Sequence, residues 1–355
     1  MKKILIVSHV FMRDGIETHG PLHSIVDYLK KSKRHHLIVS YPLYSKIPLP
    51  IKSVLETLNT IKFGFSKRFD IIIAIDPLNA LAGIILKKLG RCKSLIFYTV
   101  DYADKRFENS FLNSIYHLID RLAINNADYV WNVSSRIVQK RLKQGIKKEK
   151  IILLPNSPDV EQIKPAGDKE VNRNWILMIS GVTHSPTFDA TVNAFLKVVK
   201  RRKDAKLLIA GSGPYEAELK KIAKSKGLKN NIEFKGQMQH KDLVTLMRKC
   251  GIGIALYTQD FSWTKYGDSM KAREYLAAGV PTIITGTVST ADDIRKAEAG
   301  IVVKLDEKEI ANVIDKILSN EDLYKKMRIN ARNLALATDF AAILETSLAK
   351  IGVEN

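Results

Sequence analysis

Cysteine is nearly missing from this 355-residue chain: there are two, Cys92 and Cys250, far apart and at no metal-ligand spacing. Neither is assigned a role, and the pattern points to a reducing compartment. Long apolar runs are missing as well. The longest, residues 71–86, is broken by Asp76, Pro77 and Asn79 and falls short of the ~20 residues a spanning helix needs. The apolar start, residues 1–10, runs straight into charged sequence with no small-residue cleavage site, so it reads as a first strand and not a signal peptide. A cytoplasmic protein is expected, soluble or peripheral on the inner face of the membrane. Aromatics make up 8% with no clustered stacking motif, and there is no recognition-helix pattern, which argues against a nucleic-acid binder. Acidic residues are also short in number: 37 against 57 Lys and Arg gives +20, and residues 1–160 alone hold 26 basic and 13 acidic residues. The excess favours anionic partners, and by itself does not choose among nucleic acid, membrane surface and phosphorylated small molecules.

What the chain has in abundance is alternation. Short β-branched runs (KILIVSHV, HLIVSYPL, DIIIAID, SLIFYTVDY, DYVWNVS, KIILLPNSPD) are separated by helical patterns, among them a basic amphipathic stretch at Val54–Arg68. Pro155, Pro158 and Pro165, with the polar residues 167–174, interrupt every period. The alternation then restarts with NWILMISG, KLLIAGSGP, IEFKG, IGIALY, PTIIT and IVVK. The expectation is α/β: two Rossmann-like doubly wound domains with a cleft between them, covering residues 1–165 and 166–335, and a C-terminal helix in 336–355 that packs back on the first. Open parallel sheets bind ligands at the carboxyl ends of their strands, so the active site is expected between the domains.

The most informative window is YGDSMKAREYLAAGVP, residues 266–281. Residues 267–269 form a polar lead-in suited to a helix N-terminus, where backbone N–H groups would face an anion. Lys271 adds a point charge for a diphosphate, and Glu274, one turn further in, can accept two hydrogen bonds from a ribose diol. Read alone, each is an ordinary solvated helix residue, although a Lys near a helix N-terminus opposes the helix dipole unless an anion is present.

This window resembles the donor-binding segment of GT-B-fold glycosyltransferases, the large group 1 (family 4-like) set that includes bacterial polysaccharide and lipid glycosyltransferases. Glu274 matches the second Glu of their Glu-x7-Glu segment, which binds the ribose, and EYLAAGVP matches the remainder of that segment. Tyr266 stands where the first Glu, a sugar contact, would be. LLPNSPD, LLIAGSGP and IEFKG fall in family order, whereas ISGVTHSPTFD lacks the two cations of the usual Gly-Arg-x4-Lys segment. Met270-Lys271 is similar to a diphosphate-contacting Met-Lys pair of a xanthan-type glucuronosyltransferase, and Lys271 stands in for the missing cations. The resemblance covers nearly the whole chain. It implies donor contacts from Gly15, Gly181, Gly213, Gly236, Met238, Tyr266, Ser269, Met270, Lys271 and Glu274.

On the acceptor side, IFYTVDY is similar to a strand that carries His in many relatives, and the matching residue is Asp101, the candidate general base. The bland alternative makes Asp101 a helix N-cap. The glycine-containing loop at residues 11–21 offers His19 as a second catalytic residue, and Lys105 and Arg106 are candidate acceptor contacts. The resemblance thus implies transfer of a sugar from a UDP- or GDP-sugar to a glycan or lipid-linked glycan, in cell-surface polysaccharide or glycolipid synthesis. No cofactor is required: Asp-x-Asp, the metal-holding signature of the other main glycosyltransferase fold, is absent. A sugar-nucleotide epimerase of the same fold and a basic nucleic-acid-binding protein are the rivals. The donor base, the sugar and the stereochemistry stay open. Val54–Arg68 reads as a crossover helix or as an anionic-membrane patch, since the residues just before it, Tyr44–Ile51, are also basic and apolar.

Overall fold

The structure is a computed structural model that describes all residues except 1, 11, 14–15, 18–20, 43–48, 260–261, 263 and 353–355. The chain divides into two compact units, Met1–Pro155 with Ala341–Asn355, and Asn156–Phe340. In chain order the first holds β1 (Ile4–Val10), β2 (Met12–Arg13), β3 (Ile16–Glu17), α1 (Pro21–Lys31), β4 (His36–Pro42), α2 (Leu49–Phe65), β5 (Phe69–Ile75), α3 (Pro77–Lys88), β6 (Cys92–Thr99), α4 (Ser110–Asn126), β7 (Tyr129–Asn132), α5 (Ser135–Lys143) and β8 (Ile151–Leu153). The second holds β9 (Asn172–Ile179), α6 (Pro186–Arg201), β10 (Lys206–Ala210), α7 (Glu216–Ser225), β11 (Ile232–Gly236), α8 (His240–Arg248), β12 (Cys250–Ala255), α9 (Met270–Ala277), β13 (Thr282–Thr285), α10 (Thr290–Ala297), β14 (Gly300–Val303), α11 (Glu307–Ser319) and α12 (Glu321–Ala337). Last comes α13 (Phe340–Lys350), most of which returns to the first unit. There Arg34 forks onto Glu345 at 2.9 and 3.1 Å, and Lys350 donates to the Glu149 carbonyl at 2.9 Å.

Each unit is built on a six-stranded sheet that is parallel throughout, with order β4-β1-β5-β6-β7-β8 in the first and β11-β10-β9-β12-β13-β14 in the second. Helices cover both faces of such a sheet, so its strands are apolar without alternation. Ile71 to Ile75 are all buried, as are Leu95 to Tyr98 and Ile176 to Met178. The connection direction reverses between β1 and β5 in one sheet and between β9 and β12 in the other. Those two places are the crevices where a doubly wound sheet leaves room for a ligand. Among the described residues no helix is long and apolar enough to cross a membrane.

Candidate functional site

In the second unit the loops that follow β9 and β10 lie directly on each other. Ser180 N–H donates to Ala210 O at 3.0 Å, Val182 N–H to Ser212 O at 3.0 Å, and Gly211 N–H to Gly236 O at 2.8 Å. Glycine is required at the contact. A Cβ on Gly213 would sit 2.2 Å from the Val182 carbonyl oxygen, and Gly211, at φ +127, would bring one within 2.0 Å of Ser180 O. A Cβ added at Gly181 would meet nothing within 4 Å, so that backbone faces open space. Met238 is half-buried, packed against the apolar cluster under β12.

Helix α9 bridges the ends of β9 and β12. Toward β9, the buried Tyr275 hydroxyl donates to Leu177 O and accepts from Ile179 N–H, both at 3.0 Å. Room for that ring exists because residue 253 is glycine: a Cβ there would lie 2.5 Å from the Tyr275 ring. Toward β12, Ser269 caps the helix by accepting from Ala272 N–H at 3.2 Å, and its hydroxyl lies 2.5 Å from the Tyr257 hydroxyl. Tyr266 is buried in the turn Thr264–Tyr266 that leads in, and Met270 opens the helix.

The first turn of α9 is fixed by a buried network that sequence reasoning missed. Arg273 Nη2 donates to Asp268 Oδ1 at 2.9 Å and to Asp293 Oδ2 at 2.5 Å, while Asp268 also accepts from Thr290 Oγ1 at 2.6 Å and from Asn156 N–H at 2.8 Å. Burial disfavours the Arg273 cation, but the two carboxylates outweigh it and raise its pKa. Against this rigid frame Lys271 stands out. It makes no ion pair among the described residues, and its Nζ lies 5.0 Å from the Tyr257 ring centroid. Burial alone brings its pKa down to about 8. A cation in the first turn opposes the helix dipole, and a helix N-terminus favours negative charge beside it.

Glu274 lies one turn on, 12% exposed, with Oε1 2.7 Å from His240 Nε2. That hydrogen bond is the chief cause of the raised His240 pKa. His240, the first residue of α8, was not read from the sequence as a site residue. The cavity of about 670 Å³ beyond β12, β13 and β14 shares Tyr257 with this region but is walled by Thr258, Thr285, Thr287 and Lys304, and neither Lys271 nor Glu274 lines it.

In the first unit Asp101 follows β6 and pairs with Arg106, which brings these two candidates together. Burial opposes the Arg106 charge, Asp101 more than restores it, and the guanidinium also lies 5.9 Å from the Tyr116 ring centroid. Lys105 instead pairs with Glu108 at 2.6 Å. The N-cap reading of Asp101 is corrected: α4 is capped by Asn109, whose Oδ1 accepts from Phe111 and Leu112 N–H at 2.9 and 3.1 Å. Beneath Asp101, Thr99 Oγ1 accepts from Arg141 Nη2 at 2.9 Å, and Arg141 is itself clamped on the buried Asp120 at 2.5 and 2.7 Å. Gly15, Gly20 and His19 lie outside the described residues.

A second group missed by sequence reasoning occupies the β1–β5 crevice. His9 Nε2 lies 3.0 Å from Glu56 Oε2, and its Nδ1 is 3.1 Å from Asn79 Nδ2 and 3.8 Å from Asp76 Oδ2. Burial lowers the His9 pKa, yet Asp76 and Glu56 outweigh it, and the net shift is upward. Asp76 holds φ +78, a left-handed conformation unusual for a residue with a side chain. Among the described residues no cluster of His, Cys, Asp and Glu could hold a metal ion.

Residues 159–334 match the family model described as Glycosyl transferases group 1. The chain is 23% identical over 265 residues to the uncharacterized glycosyltransferase YqgM of Bacillus subtilis, covering 74% of this chain and 72% of that protein. It is 28% identical over 163 residues, 42% of each chain, to a GDP-mannose-dependent monoacylated alpha-(1-6)-phosphatidylinositol monomannoside mannosyltransferase of Corynebacterium glutamicum. Among solved structures, Anabaena Alr3699/HepE in complex with UDP superposes with a TM-score of 0.72 at 14% identity, covering 99% of both chains. WaaG, a glycosyltransferase involved in lipopolysaccharide biosynthesis, superposes at 0.66 and 14% identity, covering 99% of this chain and all of that one.

Proposed function

We propose that this chain, a transferase of GT-B fold whose residues 159–334 match the glycosyl transferases group 1 family model, moves a sugar from a UDP- or GDP-sugar to a hydroxyl of a glycan or lipid-linked glycan. One observation carries the donor half: Lys271 is desolvated in the first turn of α9, one turn ahead of Glu274, and makes no ion pair among the described residues. A diphosphate supplies the anion that Lys271 lacks, and a ribose diol supplies hydroxyls for Glu274, in competition with His240. That the Corynebacterium relative is GDP-mannose-dependent and the Anabaena neighbour was solved with UDP supports these two bases as the first to test.

In this reading the acceptor oxygen attacks the anomeric carbon and the bond to the nucleoside diphosphate breaks. The leaving diphosphate keeps the electron pair near Lys271, and Asp101 receives the hydroxyl proton. Its pairing with Arg106 orients the carboxylate, and the Arg141–Asp120 clamp holds Thr99, two residues before it. Thermal stabilisation by a panel of UDP, GDP, ADP, CDP and TDP tests the donor half. At a hundredfold excess over Kd one base should stabilise by about 2.7 kcal/mol. A flat response to all five would refute it.

A further inference from the structure

Helices α2, α3 and α4 lie side by side on one face of the first sheet, with α3 packed between the other two. The inward sides behave normally: Ile61, Phe63, Ile84, Leu86, Ala123 and Ile124 join the core. The outward sides do not. On α4 the residues Phe111 (72% exposed), Leu112, Ile115, Leu118 (58%) and Leu122 succeed one another at helical spacing along the solvent face. On α2 the same holds for Val54 (58%), Leu55, Leu58 (55%) and Phe65, and α3 adds Ile85, with Leu89 just past its end. Scattered exposed apolar residues are ordinary, but two stripes on helices that flank α3, with Ile85 and Leu89 between them, call for an occupant.

Charge says which. The three helices carry two carboxylates, and both are turned inward: Glu56 onto His9 and Lys52, Asp120 onto Arg141. The exposed charges on these helices, among the described residues, are Lys62, Lys88 and Arg121, all positive. At the C-terminal end of α2 the Arg91 guanidinium lies 5.0 Å from the Phe65 ring centroid. Glu108, exposed just before α4, is paired with Lys105 at 2.6 Å, so the charge left over on this face is positive and a second copy of this chain would set like charge against like.

We propose that the α2–α3–α4 face docks on an anionic lipid bilayer, with the leucines and phenylalanines entering the headgroup boundary and Lys62, Lys88 and Arg121 on the phosphates. The surface extends well past the Val54–Arg68 stretch suggested by sequence: α4 supplies its longest stripe. Much of Tyr44–Ile51 lies outside the described residues and plays no part here. The docking stands independently of the transfer chemistry.

Co-sedimentation of the full chain with phosphatidylcholine vesicles, with and without phosphatidylglycerol, tests it. Binding should require the anionic lipid and weaken with salt. Reversing one cation, Lys88→Glu, should lower partition about fivefold or more. Replacing Leu58, Phe111 and Leu118 together by Gln should lower it about tenfold or more while the thermal midpoint holds, because all three are exposed. If the triple variant does not fold, the single charge reversal decides. Protein that stays in the supernatant at low salt, or partition unchanged in well-folded variants, overturns the proposal. So does sedimentation velocity showing a dimer that the triple variant disperses, which would make the face an interface between copies.

Discussion

Replacing Lys271 by Met keeps most of the side chain's bulk and removes its charge, which should have two effects of opposite sign. In the unliganded protein the amine has a pKa of about 8 against 10.5 for an exposed lysine, so folding works against its proton. The unfolded chain holds that proton more tightly, and the penalty is full below about 8 and vanishes as pH rises through 10.5. At neutral pH it is on the order of 1–3 kcal/mol after allowance for solvent at a part-exposed amine. The unliganded Lys271→Met protein should therefore be more stable than wild type by that order. Its affinity for the nucleoside diphosphate should fall by roughly 1.5–3 kcal/mol, the worth of a charge-assisted hydrogen bond, or about 10- to 150-fold. Binding a diphosphate must also raise the lysine's pKa, so wild type should take up a proton on binding near and above pH 8 and almost none well below it. Calorimetry in two buffers of different ionisation heat reads that uptake directly, and Lys271→Met should abolish it. A variant that is less stable unliganded, or binds as wild type does, would refute the reasoning.

Glu274→Ala should weaken binding of the diphosphate and of the nucleoside alike by about 1.5–3 kcal/mol, since the ribose loses its charged acceptor; unchanged calorimetric affinity in a folded variant removes Glu274 from the site. Asp101→Asn should cut turnover by about 10²–10⁴-fold with donor affinity nearly unchanged, as expected of a general base. Equal loss of both would make Asp101 a donor contact instead. For His9 the raised pKa means the folded state favours the proton, so the cluster's contribution is present below 6.5 and lost as pH rises through the folded value. The gap in melting temperature between wild type and His9→Gln should narrow from pH 5 to pH 8, and a gap that widens would reverse the assignment.

The two sheets were legible because their strands are buried on both faces and read as unbroken β-branched runs between helical periods, as in Ile71–Ile75. Between the last strand and the C-terminal helix the sequence reading names no element, although Asp306, which caps α11 at Lys308 and Glu309 N–H, stands at a helical spacing from Ile310, Ile314 and Ile317. The alternative reading of Asp101 as the cap of α4 fails on spacing: Asn109 sits directly before the apolar period, and Asp101 lies eight residues upstream of it. The missed site residues have a different origin. His240 meets Glu274 across 34 positions, and His9 meets Glu56 and Asp76 only because β1 pairs with β5 and α2 packs nearby. Nothing local announces either. Arg273 looked like any solvated helix residue, whereas the fold buries it between Asp268 and Asp293. Periodicity also could not say which side of α4 faces the core, since both sides carry apolar residues.

A crystal structure with the stabilising nucleoside diphosphate bound tests the central claim most directly. The ribose hydroxyls should lie on the Glu274 carboxylate, with His240 displaced or sharing it, and a phosphate oxygen within hydrogen-bonding distance of Lys271 Nζ at the start of α9. A nucleotide lodged in the cavity lined by Thr258, Thr287 and Lys304, with Lys271 and Glu274 untouched, would contradict it.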